Sequence, residues 1–234
     1  MAPGTDAAEA DQPARRRRPR GEPRRLILEA ARDVFNRKGY ASASTREIAT
    51  QADVSETLIF RYFGTKAGLF REAMVQPFVD TIDRWVRRPG GGGSGQITRD
   101  ETTAFVGDMY DVFREHRALA ALVFAADALA ESELAESGAI DDVRAAIDRF
   151  VNYAREQAQI GGAVLDPQTH DLAIRGHMAM VAGVATFGPW YFGKRRPSRR
   201  VVIQELSEWV WLRYTRPGPP TPSRPPKRSA PSQS

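Results

Sequence analysis

Apolar residues recur at intervals of three and four along most of the 234-residue chain, the spacing of helices that bury one face. The first such segment, 23–38, carries Leu26, Ile27, Ala30, Ala31, Val34 and Phe35. Pro23 suits its first turn, and Gly39 can take the positive φ that closes a helix. Tyr40 is then placed to fold back on the bundle. Two short segments follow, one with Ile48, Ala49 and Ala52, the other with Leu58, Ile59 and Phe63. A longer helix opens at Thr65-Lys66 and runs to about residue 88, with Leu69, Phe70, Ala73, Met74, Phe78, Ile82 and Trp85 on one side. Pro77 lacks an N–H and predicts a kink or a lost backbone bond. Further helices are predicted over 98–116, 119–130, 140–159, 166–187 and 198–214, and Gly188-Pro189 is expected to stop the fourth of these. No stretch alternates with period two for long enough to make a strand. The pattern predicts an all-α chain of about nine helices.

The two short segments contain the most specific local signal. Ser44 precedes the first and Glu47 stands three residues later, the arrangement of a reciprocal capping box. Asp53-Val54-Ser55 breaks the helix with turn-forming residues, and Val54 can plug the corner. Two short helices meeting at small residues across a three-residue turn fit a helix-turn-helix, whose second helix enters the DNA major groove. An ordinary buried helical hairpin is the alternative. It does not account for the polar Glu56-Thr57 pair on the second helix or for the basic segment upstream.

Charge sharpens this picture. Net charge is +5, but residues 1–72 hold 14 basic and 10 acidic side chains and residues 213–234 hold 5 basic and none acidic. The intervening residues carry 15 basic and 19 acidic side chains. A polyanion is therefore expected at the amino-terminal end and a different partner for the middle. Residues 1–22 lack periodicity and read as a disordered basic arm in which Arg15–Arg18 and Arg20 cluster. Arg17 and Arg18 are candidates for phosphate or minor-groove contact, against the alternative of a solvated tail. The Gly-rich stretch 89–96 reads as a flexible linker; it lacks the GK[ST] ending of a phosphate loop. Residues 216–234 read as a disordered Pro-rich tail. The chain has no Cys, which excludes disulfides, thiolate metal sites and thiol chemistry. No apolar run approaches the roughly 18 residues of a membrane span and no signal-like segment opens the sequence, so a cytoplasmic protein is expected.

From about Arg24 to Phe70 the chain resembles the TetR family of bacterial transcriptional regulators. The matching elements are Phe35, Gly39-Tyr40, Thr45-Arg46-Glu47-Ile48-Ala49, Ala52-x-Val54-Ser55, Tyr62-Phe63, Lys66 and Leu69. The resemblance implies a helix-turn-helix DNA-binding head over 23–70 and a ligand-binding and dimerisation body over 71–215. It departs from the family at Thr57-Leu58-Ile59-Phe60, where Gly-Thr-Leu-Tyr is usual; Phe60 lacks the tyrosine hydroxyl.

In such a head, Thr45 and Arg46 would meet phosphate at a helix start. Ser55, Glu56 and Thr57 would face base edges, with Glu56 accepting from cytosine and the Thr57 methyl against thymine. Phe60, Arg61, Tyr62 and Lys66 would lie along the backbone. The last two helices carry more apolar surface than one buried face needs, including Trp190, Tyr191, Phe192, Trp209 and Trp211. A homodimer through them would present two heads to a palindromic operator. Phe105, Met109, Phe113, Phe124, Phe150, Tyr153 and Met178 are candidates to line a cavity for a hydrophobic small-molecule effector, against the alternative that they only fill the core. His170 and His177 lack the partners of a metal site, no cofactor is implied, and no catalytic constellation is present. The expected function is a ligand-released repressor, with an architectural DNA-binding protein as the alternative.

Overall fold

The computed structural model describes residues 22–88, 97–124, 133–160 and 166–215. The arm with Arg17 and Arg18, the Gly-rich stretch, the tail, the end of the predicted 119–130 helix and the side chain of Phe124 lie outside the described residues. Within them the chain is helical: α1 (Glu22–Ser42), α2 (Thr45–Gln51), α3 (Glu56–Phe63), α4 (Lys66–Phe70), α5 (Gln76–Val86), α6 (Arg99–Glu115), α7 (Arg117–Phe124), α8 (Glu133–Glu136), α9 (Ala139–Ile160), α10 (Pro167–Phe192) and α11 (Arg199–Thr215). The difference from about nine has two sources. The predicted fourth helix is divided by a π turn, Arg71–Val75, and α8 is too short to leave a periodic signal.

Helices α1 to α4 form a head with a dry core. Ile27, Val34, Phe35, Ile48, Ile59 and Leu69 are fully buried. Phe35 meets Phe70 edge-on at 5.0 Å and Tyr40 in a stack at 6.1 Å. Tyr40 thus returns to the bundle after Gly39, whose φ of 73° ends the helical run. At the next boundary the capping box is only half made. The Ser44 hydroxyl accepts from the Glu47 N–H at 3.1 Å, but the Glu47 carboxylate turns to Lys38 at 2.7 Å and Arg37 at 2.9 Å. Two cations outbid one backbone N–H, and they hold its pKa below the usual carboxylate range.

The π turn answers Pro77. Proline cannot donate to the carbonyl of Ala73, four residues before it, so a regular helix would leave that oxygen unpaired. The buried His116, between α6 and α7, bonds to the Ala73 backbone instead. The head also reaches this junction through Asn36 of α1, which donates to the Glu115 carbonyl at 2.6 Å and accepts from the Ala118 N–H at 3.2 Å. Head and body therefore meet across a seam of directed polar contacts.

In the body, α6 begins with a complete capping box between Thr98 and Glu101. It packs against both α10 and α11, while α5 lies along α9. Helix α10 does not stop at Gly188-Pro189 but continues to Phe192. Proline's fixed φ is helical, so it removes one bond without forcing a break where the flanking turns are otherwise supported. Among the described residues no helix is long and apolar enough to cross a membrane.

Candidate nucleic-acid interface and effector cavity

The turn between α2 and α3 is tight. Asp53 takes φ 51°, a left-handed conformation that Asp tolerates better than most residues. The Val54 N–H reaches back to the Ala49 carbonyl at 3.0 Å. Helix α3 then buries Ile59 and Phe63 and turns Ser55, Thr57, Phe60, Arg61 and Tyr62 to solvent. Its end is fixed by two glycines. Gly64 takes φ 72°, and a Cβ on Gly68 would stand 2.2 Å from the Phe63 carbonyl oxygen. Only glycine lets α4 approach the end of α3 that closely, a constraint with no signature in the hydrophobic pattern.

Of the expected DNA-facing residues, Arg46, Ser55, Thr57, Phe60, Arg61 and Tyr62 are exposed. The Arg61 guanidinium lies 5.6 Å from the centre of the Tyr62 ring. Phe60 is 44% exposed and Tyr62 38%, so neither is needed by the core. Thr45 and Glu56 are joined to each other, the hydroxyl donating to the carboxylate. This bond ties the start of α2 to the start of α3, and a base or phosphate would have to compete with it. Lys66 is half-buried. Its Nζ lies 4.4 Å from the centre of the Tyr40 ring and 3.4 Å from the Ala41 carbonyl. Burial lowers its pKa, against the pull of Glu133. Tyr40 donates to that same Glu133 at 2.8 Å, so Lys66 belongs to the seam between head and body.

The body holds a cavity of about 150 Å³ lined by Phe78, Phe113, Ala120, Val143, Ile147, Arg175, Met178, Ala179 and Ala182. Of the candidate lining residues, Phe113 and Met178 contribute. Phe105 and Phe150 instead stack face to face at 4.2 Å, Trp85 meets Phe105 edge-on at 5.4 Å, and Tyr153 lies 6.1 Å from Phe150. These four rings satisfy one another as core, and Met109 is buried away from the cavity wall. Periodicity identifies an inward face; it does not say which inward residues meet a partner and which meet a void. Among the described residues no group of three or more His, Asp or Glu is placed to hold a metal ion.

Residues 27–73 match the family described as bacterial regulatory proteins, tetR family. Over these residues the chain is similar to the TetR family. YttP of Bacillus subtilis, a probable HTH-type transcriptional regulator, is 34% identical over 98 residues, 42% of this chain and 47% of that protein. The HTH-type transcriptional repressor Rv3405c of Mycobacterium tuberculosis is 46% identical over 54 residues, 22% of this chain and 29% of that one. The chain thus spans about half the length of the first of these relatives and less of the second. The crystal structure of FadR from Bacillus subtilis in complex with stearoyl-CoA matches with a TM-score of 0.55 at 20% identity, covering 80% of this chain and 97% of that one. The likeness is one of fold, and it extends beyond the residues that the family match covers. YttP and Rv3405c both carry the name of an HTH-type regulator of transcription.

Proposed function

We propose that this protein is a sequence-specific DNA-binding regulator, acting as a repressor that leaves a palindromic operator when a small, largely apolar effector enters the body. One observation carries the DNA half of this reading. Helix α3 hides Ile59 and Phe63 and presents a polar first turn, Ser55 and Thr57, while Arg46 on α2 and Arg61 further along α3 are also exposed. A helix fixed from behind and polar in front, flanked by phosphate-binding groups, is what major-groove recognition requires. The repressing sense is supported by the relative Rv3405c.

Dimerisation is supported by the outer face of α10 and α11. Leu172 is 72% exposed, Trp190 79%, Tyr191 67% and Trp209 54%, a density of large apolar groups that a second copy would cover. The effector half rests on the cavity. An acyl chain as long as stearoyl does not fit a volume of about 150 Å³, so the occupant is smaller. The arm residues Arg17 and Arg18 would add phosphate contacts. The test is selection of DNA fragments by the purified protein, followed by binding at several salt concentrations. An enriched palindrome is expected, and Arg46→Ala should reduce the salt slope by about 1 while weakening all sequences alike. A protein that retains no duplex at low salt would overturn the assignment.

A further inference from the structure

We propose that the cavity takes a small apolar acid, with its hydrocarbon end inside and its carboxylate at the mouth against Arg175. This rests on the cavity being the effector site. The wall has a simple chemistry. Among the described lining residues, Phe78, Phe113, Ala120, Val143, Ile147, Ala179 and Ala182 offer no side-chain hydrogen bond, Met178 offers only a weak thioether acceptor, and Arg175 is the one charged donor. Any discrimination by polarity must therefore act where Arg175 stands. Arg175 and its neighbour Ala179 are exposed while Met178 between them is buried, which places the mouth of the cavity on this turn of α10.

The guanidinium is already matched to a carboxylate, that of Asp148 on α9. That pair is open to solvent on both sides, with side chains 46% and 57% exposed. Exposed pairs of this kind are worth little, so an incoming carboxylate can replace Asp148 at small cost. The planar fork of arginine suits two carboxylate oxygens, which a neutral amide cannot reproduce. Size narrows the class further. An engineered cavity of comparable volume holds benzene, so one ring or a chain of a few carbons fills this one.

The experiment is calorimetric titration of the full-length protein, without DNA, using three probes that share a ring: phenylacetate, phenylacetamide and ethylbenzene. Phenylacetate is expected to bind about tenfold more tightly than the other two. R175Q should reduce that preference to less than about twofold, R175K should keep part of it, and D148N should tighten phenylacetate while leaving ethylbenzene unchanged. Since both residues are exposed, these variants should fold, which circular dichroism checks. Equal binding of all three probes, or a preference that survives in R175Q, overturns the anionic class. If ethylbenzene still binds and Ala182→Phe abolishes it, the cavity remains a ligand site without its charge selectivity. Failure of every probe up to millimolar concentration removes the effector cavity itself, and the proposal with it.

Discussion

Head and body use the same helical grammar to opposite ends. In the head, every inward residue of α1 to α3 meets another side chain, and Ile27, Ala31, Val34, Phe35, Ile48 and Ile59 leave no measurable surface. In the body, equally apolar helices leave between them a cavity of about 150 Å³, open at one side, and a row of aromatic residues outside. A domain that reads a stiff polymer gains from being rigid, since its contacts must be held in register. On the proposed reading the body answers to a small molecule, which would need unfilled volume at the cost of dispersion contacts. Between them lies the polar seam of Asn36, Tyr40, Lys66, His116 and Glu133, where directed bonds hold one relative placement of the two parts.

The comparison can be broken most directly by truncation. Phe35→Ala in the head should cost about 3–5 kcal/mol in denaturant unfolding, whereas Met178→Ala, whose side chain already borders empty space, should fall near the low end of the Met range at about 2 kcal/mol. Equal losses would mean that the cavity is filled or collapsed in solution. A smaller effect is expected from acid. Burial, with the Arg32 guanidinium adding to it, pushes the His116 imidazole down to about 4, against the upward influence of the Ala73 bond. The unfolded chain then binds a proton that the folded one refuses, so stability present above about pH 6.5 is lost as pH falls towards 4, by on the order of 2–3 kcal/mol. In His116→Gln this part of the acid dependence should disappear. A variant that unfolds along the same pH curve as the parent would show that another group is responsible.

Gly68→Ala should cost about 2 kcal/mol, because the new methyl group forces α4 away from the Phe63 carbonyl. It should weaken DNA binding beyond its effect on stability, as α3 loses its support. The seam gives a test by coupling. Pro77→Ala restores an N–H that can reach the Ala73 carbonyl, so His116→Gln should be milder in that background, with a coupling of about 1 kcal/mol. Additive losses would dissolve the link between the proline and the histidine. Smallest in size but opposite in sign are two enlargements. Ala182→Leu, at the cavity, should be neutral or stabilise by about 0.5–1 kcal/mol, while Ala31→Leu in the head should destabilise by about 1–3 kcal/mol. Thermal unfolding of the pair reads both.

Much of this was legible before any coordinates. Ser44, Thr65, Thr98 and Asp166 announce helix starts, and each side chain accepts from the backbone N–H three residues on. Leu26 to Phe35 and Ile140 to Ala154 show their buried faces through spacing alone. The misreadings share a cause. Glu47 was assigned to its own helix cap, but it is claimed by Arg37 and Lys38, which a local pattern does not place opposite it. Lys66, expected along the DNA backbone, also meets Tyr40 and feels the charge of Glu133, neighbours that its position in a motif does not announce. Pro189 looked like a stop and is carried inside a 26-residue helix.

What the sequence determined by itself was everything set by neighbours within a turn or two: the helices, their caps, the Asp53 corner and the polar tip of α3. Those depend on backbone geometry and on local hydrogen bonds, which act over a few residues. Only the tertiary structure decided that Phe105 and Phe150 face each other while Phe113 faces a void, that His116 takes the carbonyl released by Pro77, and that Arg175 stands at the mouth of the cavity. Such pairings join residues tens of positions apart, and close packing selects among them by shape, which no spacing of apolar letters records.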